Sequence, residues 1–211
     1  SCIAGFFMAR FKMHPFISTM ANMLIIFGLV TYATKGVSFG AIDPAIPNIF
    51  IPKAGRFPMI ILWAIIAVVV VWFIWNKTTF GKNLYAVGGN PEASTVSGIS
   101  VFKVTMGAFI MAGILYGFGS WLECLRMVGS GSAAYGQGWD MDAIAACVVG
   151  GVSFTGGIGK ISGVVTGVLI FTSLTYSLTI LGIDTNLQFI FEGIIILAAV
   201  TLDCLKYVQK K

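Results

Sequence analysis

The sequence predicts an all-α fold, a bundle of helices that cross a membrane several times, with one short broken crossing and one small helix outside the bilayer. Three observations carry that prediction. Apolar residues make up 57% of the chain and charged ones only 10%, against about 25% charged residues in an ordinary soluble domain. Several apolar runs approach the roughly 20 residues needed to cross a hydrocarbon core about 30 Å thick. The basic residues gather at a few junctions between those runs, as membrane topology demands.

The elements follow in chain order. The opening "SCIAGFFMAR" has no Met, and its charge lies after the apolar run. A signal peptide has the opposite order. This stretch reads as the stump of a membrane helix, and residues 1–211 as a single transmembrane domain truncated at its N-terminus. Full-length spans are expected at about residues 16–34, 58–75, 101–122 and 161–181. A fifth, at about 188–204, is slightly short and carries Glu192 and Asp203. Between the third and fourth lies "DAIAACVVGGVSF", apolar but too short for an ordinary span.

Charge fixes the expected orientation. "NKTTFGK" (76–82) and the tail "KYVQKK" (206–211) are basic and belong in the cytoplasm. The spans 101–122 and 161–181 then both run outward, so the chain must return inward between them. The segment 142–155 is the candidate for that return, as a short or broken crossing. Arg10, Lys12, Lys77, Lys82, Lys103, Lys160, Lys206, Lys210 and Lys211 fall inside, against Lys35, Lys53, Arg56 and Arg126 outside. The 35–57 loop, with Pro44, Pro47 and Pro52, becomes external, and the C-terminus cytoplasmic.

On this scheme "GGNPEASTVSGIS" (88–100) is a polar island on the cytoplasmic side. Asn90 suits an N-cap, and Pro91 suits the first helical position, where a missing N–H costs nothing. Glu92 complements the helix dipole, and Gly98 can adopt the left-handed conformation that ends a helix. Gly88 and Gly89 allow a sharp turn beforehand. Residues 91–97 read as a helix of two turns, too short to stand alone in water. It is either a capped loop packed on its own domain or a recognition helix for a partner's groove.

"EASTVSG" resembles the Glu-Ala-Ala-x-x-x-Gly loop of ABC-transporter permeases, with Ser94 in place of the second Ala. The longer strings "WNKTTFGKNLYAVGGNPEASTVSGI" (75–99), "DMDAIAACVVGGVSFTGGIGKISG" (140–163) and "LDCLKYVQKK" (202–211) are similar to the ribose/xylose/galactose branch of that family. The resemblance covers nearly the whole chain. It implies a cytoplasmic coupling helix at 91–97, with Gly89, Asn90, Pro91, Glu92, Ala93 and Gly98 meeting a cytoplasmic ABC ATPase. It further implies a second permease copy as a homodimer partner and an extracytoplasmic sugar-binding protein, in a bacterial inner membrane. The cargo it implies is a sugar, galactose or methyl-galactosides ahead of ribose or xylose. Asp140 stands where the family has Glu, Glu192 where relatives often have a basic residue, and the 35–57 loop matches poorly.

The glycine-rich "GGVSFTGGIGKISG" fails as a nucleotide site. A P-loop needs Gly, four residues, then Gly-Lys followed by Ser or Thr. Here Ile161 follows Gly159-Lys160, and Phe154 occupies the place of the first Gly. The mechanical reading is stronger: Gly150, Gly151, Gly156 and Gly157 loosen the backbone beyond a short helix. Non-helical backbone at membrane depth survives only when buried in protein or lining a wet cavity, and such breaks recur at transport sites. Asp142, Ser153 and Thr155 join these glycines as candidate pathway or gate residues. The same hydroxyls can instead satisfy broken backbone locally, and Asp140 or Asp142 can cap the short helix. Gly159, Gly163 and Gly167, four apart, place small residues on one packing face.

The remaining polar residues suggest no chemistry on a substrate. Cys2, Cys124, Cys147 and Cys204 lack metal-site spacing and read as packing residues. His14 precedes Pro15 with no catalytic or metal partner in view, and Glu123 and Arg126, three apart, can pair on a helix face. Neither a metal-ligand cluster nor a Ser/His/Asp set emerges, so no enzyme activity and no cofactor are expected. The net charge of +5 reflects topology, because no basic cluster has room to track nucleic-acid phosphates. The expected function is ATP-driven sugar import powered by separate ATPase subunits. The alternative is an ATP-independent facilitator or channel, in which the polar island is merely a loop.

Overall fold

A computed structural model describes residues 1–38, 45–51, 53–54, 57–127, 131–153 and 155–208. The expected Asp43, Pro44, Pro52 and Arg56 of the 35–57 loop, Phe154, and Lys210 and Lys211 of the tail lie outside the described residues. Among the described residues the fold is all-α apart from one two-residue ladder. The helices are α1 (Cys2–Phe11), α2 (Pro15–Thr34), α3 (Ala45–Phe50), α4 (Ile60–Lys77), α5 (Thr79–Gly89), α6 (Pro91–Val96), α7 (Val101–Arg126), α8 (Trp139–Val149), α9 (Ile161–Ile180) and α10 (Thr185–Val208). Strands β1 (Lys53–Ala54) and β2 (Phe57–Pro58) pair antiparallel, Lys53 opposite Pro58 and Ala54 opposite Phe57.

Among the described residues, four helices, α2, α4, α7 and α9, are long and apolar enough to cross a membrane. Their side chains face outward: Leu24, Ile25 and Leu29 on α2 and Val69 and Phe73 on α4 are all exposed. That is the inverse of a soluble core. It is stable only where the surroundings are as apolar as the helix surface, and the helix is the form that satisfies its own backbone there. α8 is different. Its 11 residues reach only about 16 Å at 1.5 Å per residue, about half of a hydrocarbon core.

The chain divides into two compact units. The first holds residues 1–84 and 92–135. In it α1 packs against α7 and α2, and the Ser18 hydroxyl donates to the Ala4 carbonyl at 3.1 Å, a buried bond joining α2 to α1. Gly5 lets α1 approach α7 so closely that a Cβ there would sit 2.6 Å from Phe109 Cβ. Toward the opposite end of α7, Phe50, Trp63, Phe118 and Trp121 form an aromatic group with ring centroids 5.1–6.1 Å apart. The Trp63 indole N–H donates to the Phe50 carbonyl at 3.1 Å. Amphipathic rings with a satisfied polar tip are what a membrane–water interface selects.

The second unit holds residues 85–91 and 136–211. Its centre is the packing of α8 on α9 and α10, where Ala145, Ala146 and Phe171 are buried and Ile196 closes over them. Small residues on α8 allow that approach, since packing rather than apolar burial drives helix association in lipid.

Candidate functional site

The polar island is built from α5 and α6. Thr78 caps α5, its hydroxyl accepting from the Gly81 N–H at 3.3 Å and donating to the Ile74 carbonyl at 2.6 Å. Gly81 lies against the Trp75 carbonyl where any Cβ would collide, so glycine alone fits the corner between α4 and α5. Gly88 and Gly89 do not form the sharp turn expected of them. Both continue α5, and the Asn90 N–H still bonds the Ala86 carbonyl at 3.0 Å. The helical pattern breaks at Asn90, and α6 starts at Pro91.

α6 ends in a Schellman motif. The Ile99 N–H bonds the Ser94 carbonyl and the Gly98 N–H bonds the Thr95 carbonyl, each at 3.0 Å, with Gly98 at φ +81°. The reversed backbone is the reason for glycine at that position. Ser94 is buried, so a small side chain is required there, as Ala would also be. Glu92, Ala93 and Thr95 are exposed, and Val96 is 91% exposed. The helix thus holds its shape from its ends and offers its outer face, apolar at Val96, to whatever lies outside.

The glycine-rich return belongs to the second unit. Gly138, at φ +90°, occupies the N-cap of α8, so neither Asp140 nor Asp142 caps it. Both lie in the first turn instead, where carboxylates complement the dipole. α8 closes in a second Schellman motif, with the Val152 N–H on the Cys147 carbonyl at 3.0 Å, the Gly151 N–H on the Val148 carbonyl at 2.9 Å, and Gly151 at φ +83°. Gly151 is therefore a helix terminator rather than a loose joint. Gly150 has an ordinary φ. Its missing side chain instead admits α9, because a Cβ on Gly150 would strike the Gly163 carbonyl, and one on Gly163 the Gly150 carbonyl. A Cβ on Gly167 would strike Ala146 and Gly150. Gly159 meets Val152 instead.

Between the helices the chain turns tightly. The Ser153 N–H bonds the Ile158 carbonyl at 3.0 Å, and Gly156 and Gly157 sit at φ +94° and +71°. The Ser153 and Thr155 hydroxyls bond each other at 2.9 Å, and Ser153 Oγ also accepts from the Thr155 N–H at 3.3 Å. An open cavity of about 410 Å³ lies beside the return, lined by Tyr85, Lys160, Ser162 and the glycines, but by neither Ser153 nor Thr155. Four hydroxyls of α9 are likewise turned onto its own backbone: Thr166, Thr175, Ser177 and Thr179 each bond a carbonyl three or four residues back.

Three residues escaped the sequence reading as partners in this unit. Tyr85 donates its hydroxyl to the Gly159 carbonyl at 2.8 Å. Gln188 is buried and donates to the Ile183 carbonyl at 3.0 Å. Glu192, one turn on, is also buried. The spacing of 188 and 192 on one face of an apolar helix was the available signal for the last two. Tyr85 gave none, because its partner is a main-chain oxygen distant in sequence. In the first unit Arg126 pairs with Glu123 on α7, and the Tyr135 hydroxyl donates to the same carboxylate at 2.6 Å.

Comparison with known proteins places this architecture. Residues 1–200 match the family described as branched-chain amino acid transport system / permease component. The chain belongs to that family. It is 56% identical over its whole length to the galactose/methyl galactoside import permease protein MglC of Treponema pallidum, covering 41% of that protein. It is 44% identical, over 99% of its length, to the protein of the same name from Escherichia coli K12, covering 64% of it. It is 34% identical over 99% of its length to the L-arabinose transport system permease protein AraH of Escherichia coli K12, covering 62%. The chain thus spans less than two thirds of the length of these relatives. No solved structure matches it. Family membership and four outward-facing apolar helices together make it a multi-pass membrane protein of the permease class.

Proposed function

We propose that this chain is the membrane-spanning part of an ATP-driven ABC importer for a sugar, galactose or methyl-galactosides first, in a bacterial inner membrane. The observation that carries the reading is α6, a two-turn helix closed by a Schellman motif, buried at Ser94 and presenting Glu92, Ala93, Thr95 and an almost fully exposed Val96. An isolated helix of that length is unstable in water, and its exposed apolar side chain favours a groove in a partner. The relatives, permeases for galactose and methyl galactosides, support the cargo class.

In this reading Gly89, Asn90, Pro91, Glu92, Ala93 and Gly98 set the docking element for a cytoplasmic ATPase. The basic junctions and the C-terminal tail face the cytoplasm. A second permease copy and an external sugar-binding protein complete the assembly. Closure of the ATPase pair displaces α6, the bundles tilt, and a central path opens first to one side and then to the other. A sugar carries no charge, so its path needs scattered hydrogen-bonding groups rather than an ionic site, and weak sites let the cargo leave. In this reading Asp142 and the return from Gly150 to Gly157 belong near that path.

The test uses the intact permease in mild detergent from its native membrane. A Walker-type ATPase should copurify with the parent protein and not with the Glu92→Arg, Gly98→Val double variant. Downhill sugar flux with no ATPase bound to the parent would instead assign the chain to a facilitator.

A further inference from the structure

We infer that the end of α5 and the glycine-rich return form a stiff linkage through which displacement of α6 reaches both α8 and α9. The inference rests on the docking reading above. Three contacts within the second unit carry it. A Cβ on Gly88 would lie 2.8 Å from the Gly157 nitrogen, and one on Gly157 would lie 2.6 Å from Gly89 Cα. A Cβ on Gly156 would lie 2.5 Å from the Gly88 carbonyl oxygen. Independently, the Tyr85 hydroxyl ties one turn of α5 to the Gly159 carbonyl at 2.8 Å, across 74 residues of sequence.

The chemistry of those contacts decides how they respond to force. Side chains between two elements can change rotamer and absorb a small displacement. Two backbones in direct contact have no such cushion, and close-packed interiors transmit strain. The contact alone resists compression but not sliding, and the Tyr85 bond fixes the register along the turn. Position in the chain supplies the rest. Gly89 is separated from Pro91, the first residue of α6, by Asn90 alone. On the other side Gly156–Gly159 runs directly between the end of α8 and the start of α9. Tyr85 is a positioning residue here, since it touches main chain only.

The experiment measures sugar moved per ATP hydrolysed by the intact permease, assembled with its ATPase in membranes, together with ATPase copurification. Gly88→Val inserts side-chain atoms into the contact, and Tyr85→Phe removes one hydroxyl and adds nothing. Both variants should keep the ATPase bound. Sugar moved per ATP should fall about tenfold for the first, as overpacking a close contact implies, and about fivefold for the second, the effect of one hydrogen bond. An unchanged ratio in both variants overturns the linkage. Loss of the bound ATPase in the variants also overturns it, because the contact would then merely hold α6 in place. If Gly88→Val does not reach the membrane, Tyr85→Phe decides between the same outcomes. A parent protein with no ATPase bound refutes the docking reading itself, and the linkage with it.

Discussion

α4 and the α8–α9 crossing represent opposite ways of using a helix in one chain. No residue of α4 is buried, and Val, Ile, Phe and Trp side chains surround it on all sides. At the crossing of α8 and α9 glycines meet main chain directly, Gly150 against Gly163 and Gly167 against Ala146. The first element is specified by bulk hydropathy and tolerates any apolar residue of similar size. The second is specified by the absence of side chains at particular positions and tolerates almost nothing. The comparison teaches that in a membrane protein the sparse, small residues hold the architecture, while the greasy ones hold it in the bilayer.

The largest expected effect would come from Gly163→Val. Added atoms at the Gly150 carbonyl should cost about 3 kcal/mol or more by overpacking and leave little folded protein in membranes. Val69→Leu on α4 should stay within about 0.5 kcal/mol, as surface substitutions do. Thermal retention of a monodisperse peak in detergent compares the two, and equal retention would erase the contrast. Next comes Gly98→Val alone, which forces a β-branched residue to φ +81° and should cost about 1–2 kcal/mol at the end of α6. Insertion should be normal and ATPase binding lost.

Ser153→Ala sharpens the comparison from the side of the return. It removes the partner of the Thr155 hydroxyl and N–H, so stability should fall by about 1 kcal/mol with the sugar KM unchanged. A shifted KM with intact stability would instead put the hydroxyl on the cargo. The smallest effect belongs to the exposed Glu123–Arg126 pair. Glu123→Gln should change stability by only about 0.3 kcal/mol, a difference that disappears in high salt. The bond to Glu123 also raises the Tyr135 phenol above its ordinary range. With a raised value in the folded state, that interaction is complete below about pH 10 and is lost as pH rises through the elevated value. A spectrophotometric titration should therefore show Tyr135 ionising later in the parent than in the Glu123→Gln variant.

The all-α fold was legible because its signal is composition and run length, which need no partner to be read. So was the helical core of the polar island, since Pro91, Glu92 and Gly98 each act within a turn of their own position. The roles of the glycines were legible only in part. Gly98 announces itself as a terminator, whereas Gly151 reads from sequence as a loose joint, and Gly88 and Gly150 are glycine because of backbone far away in sequence. Asp140 and Asp142 were candidate caps, but a residue just upstream, Gly138, takes that place with a positive φ. Tyr85 was invisible for the same reason as Gly88: its partner is main chain, and main chain is alike at every residue.

The mutual bonding of Ser153 and Thr155 has a consequence for how such a permease diversifies. On the proposed reading, two hydroxyls spent on each other are not spent on the molecule passing by, and add no preference for one sugar's hydroxyls over another's. It is a portable part. Residues 150–160 exchanged between a galactose importer and an arabinose importer should leave each with the appetite it had, and a lineage can change its diet without rebuilding its machinery.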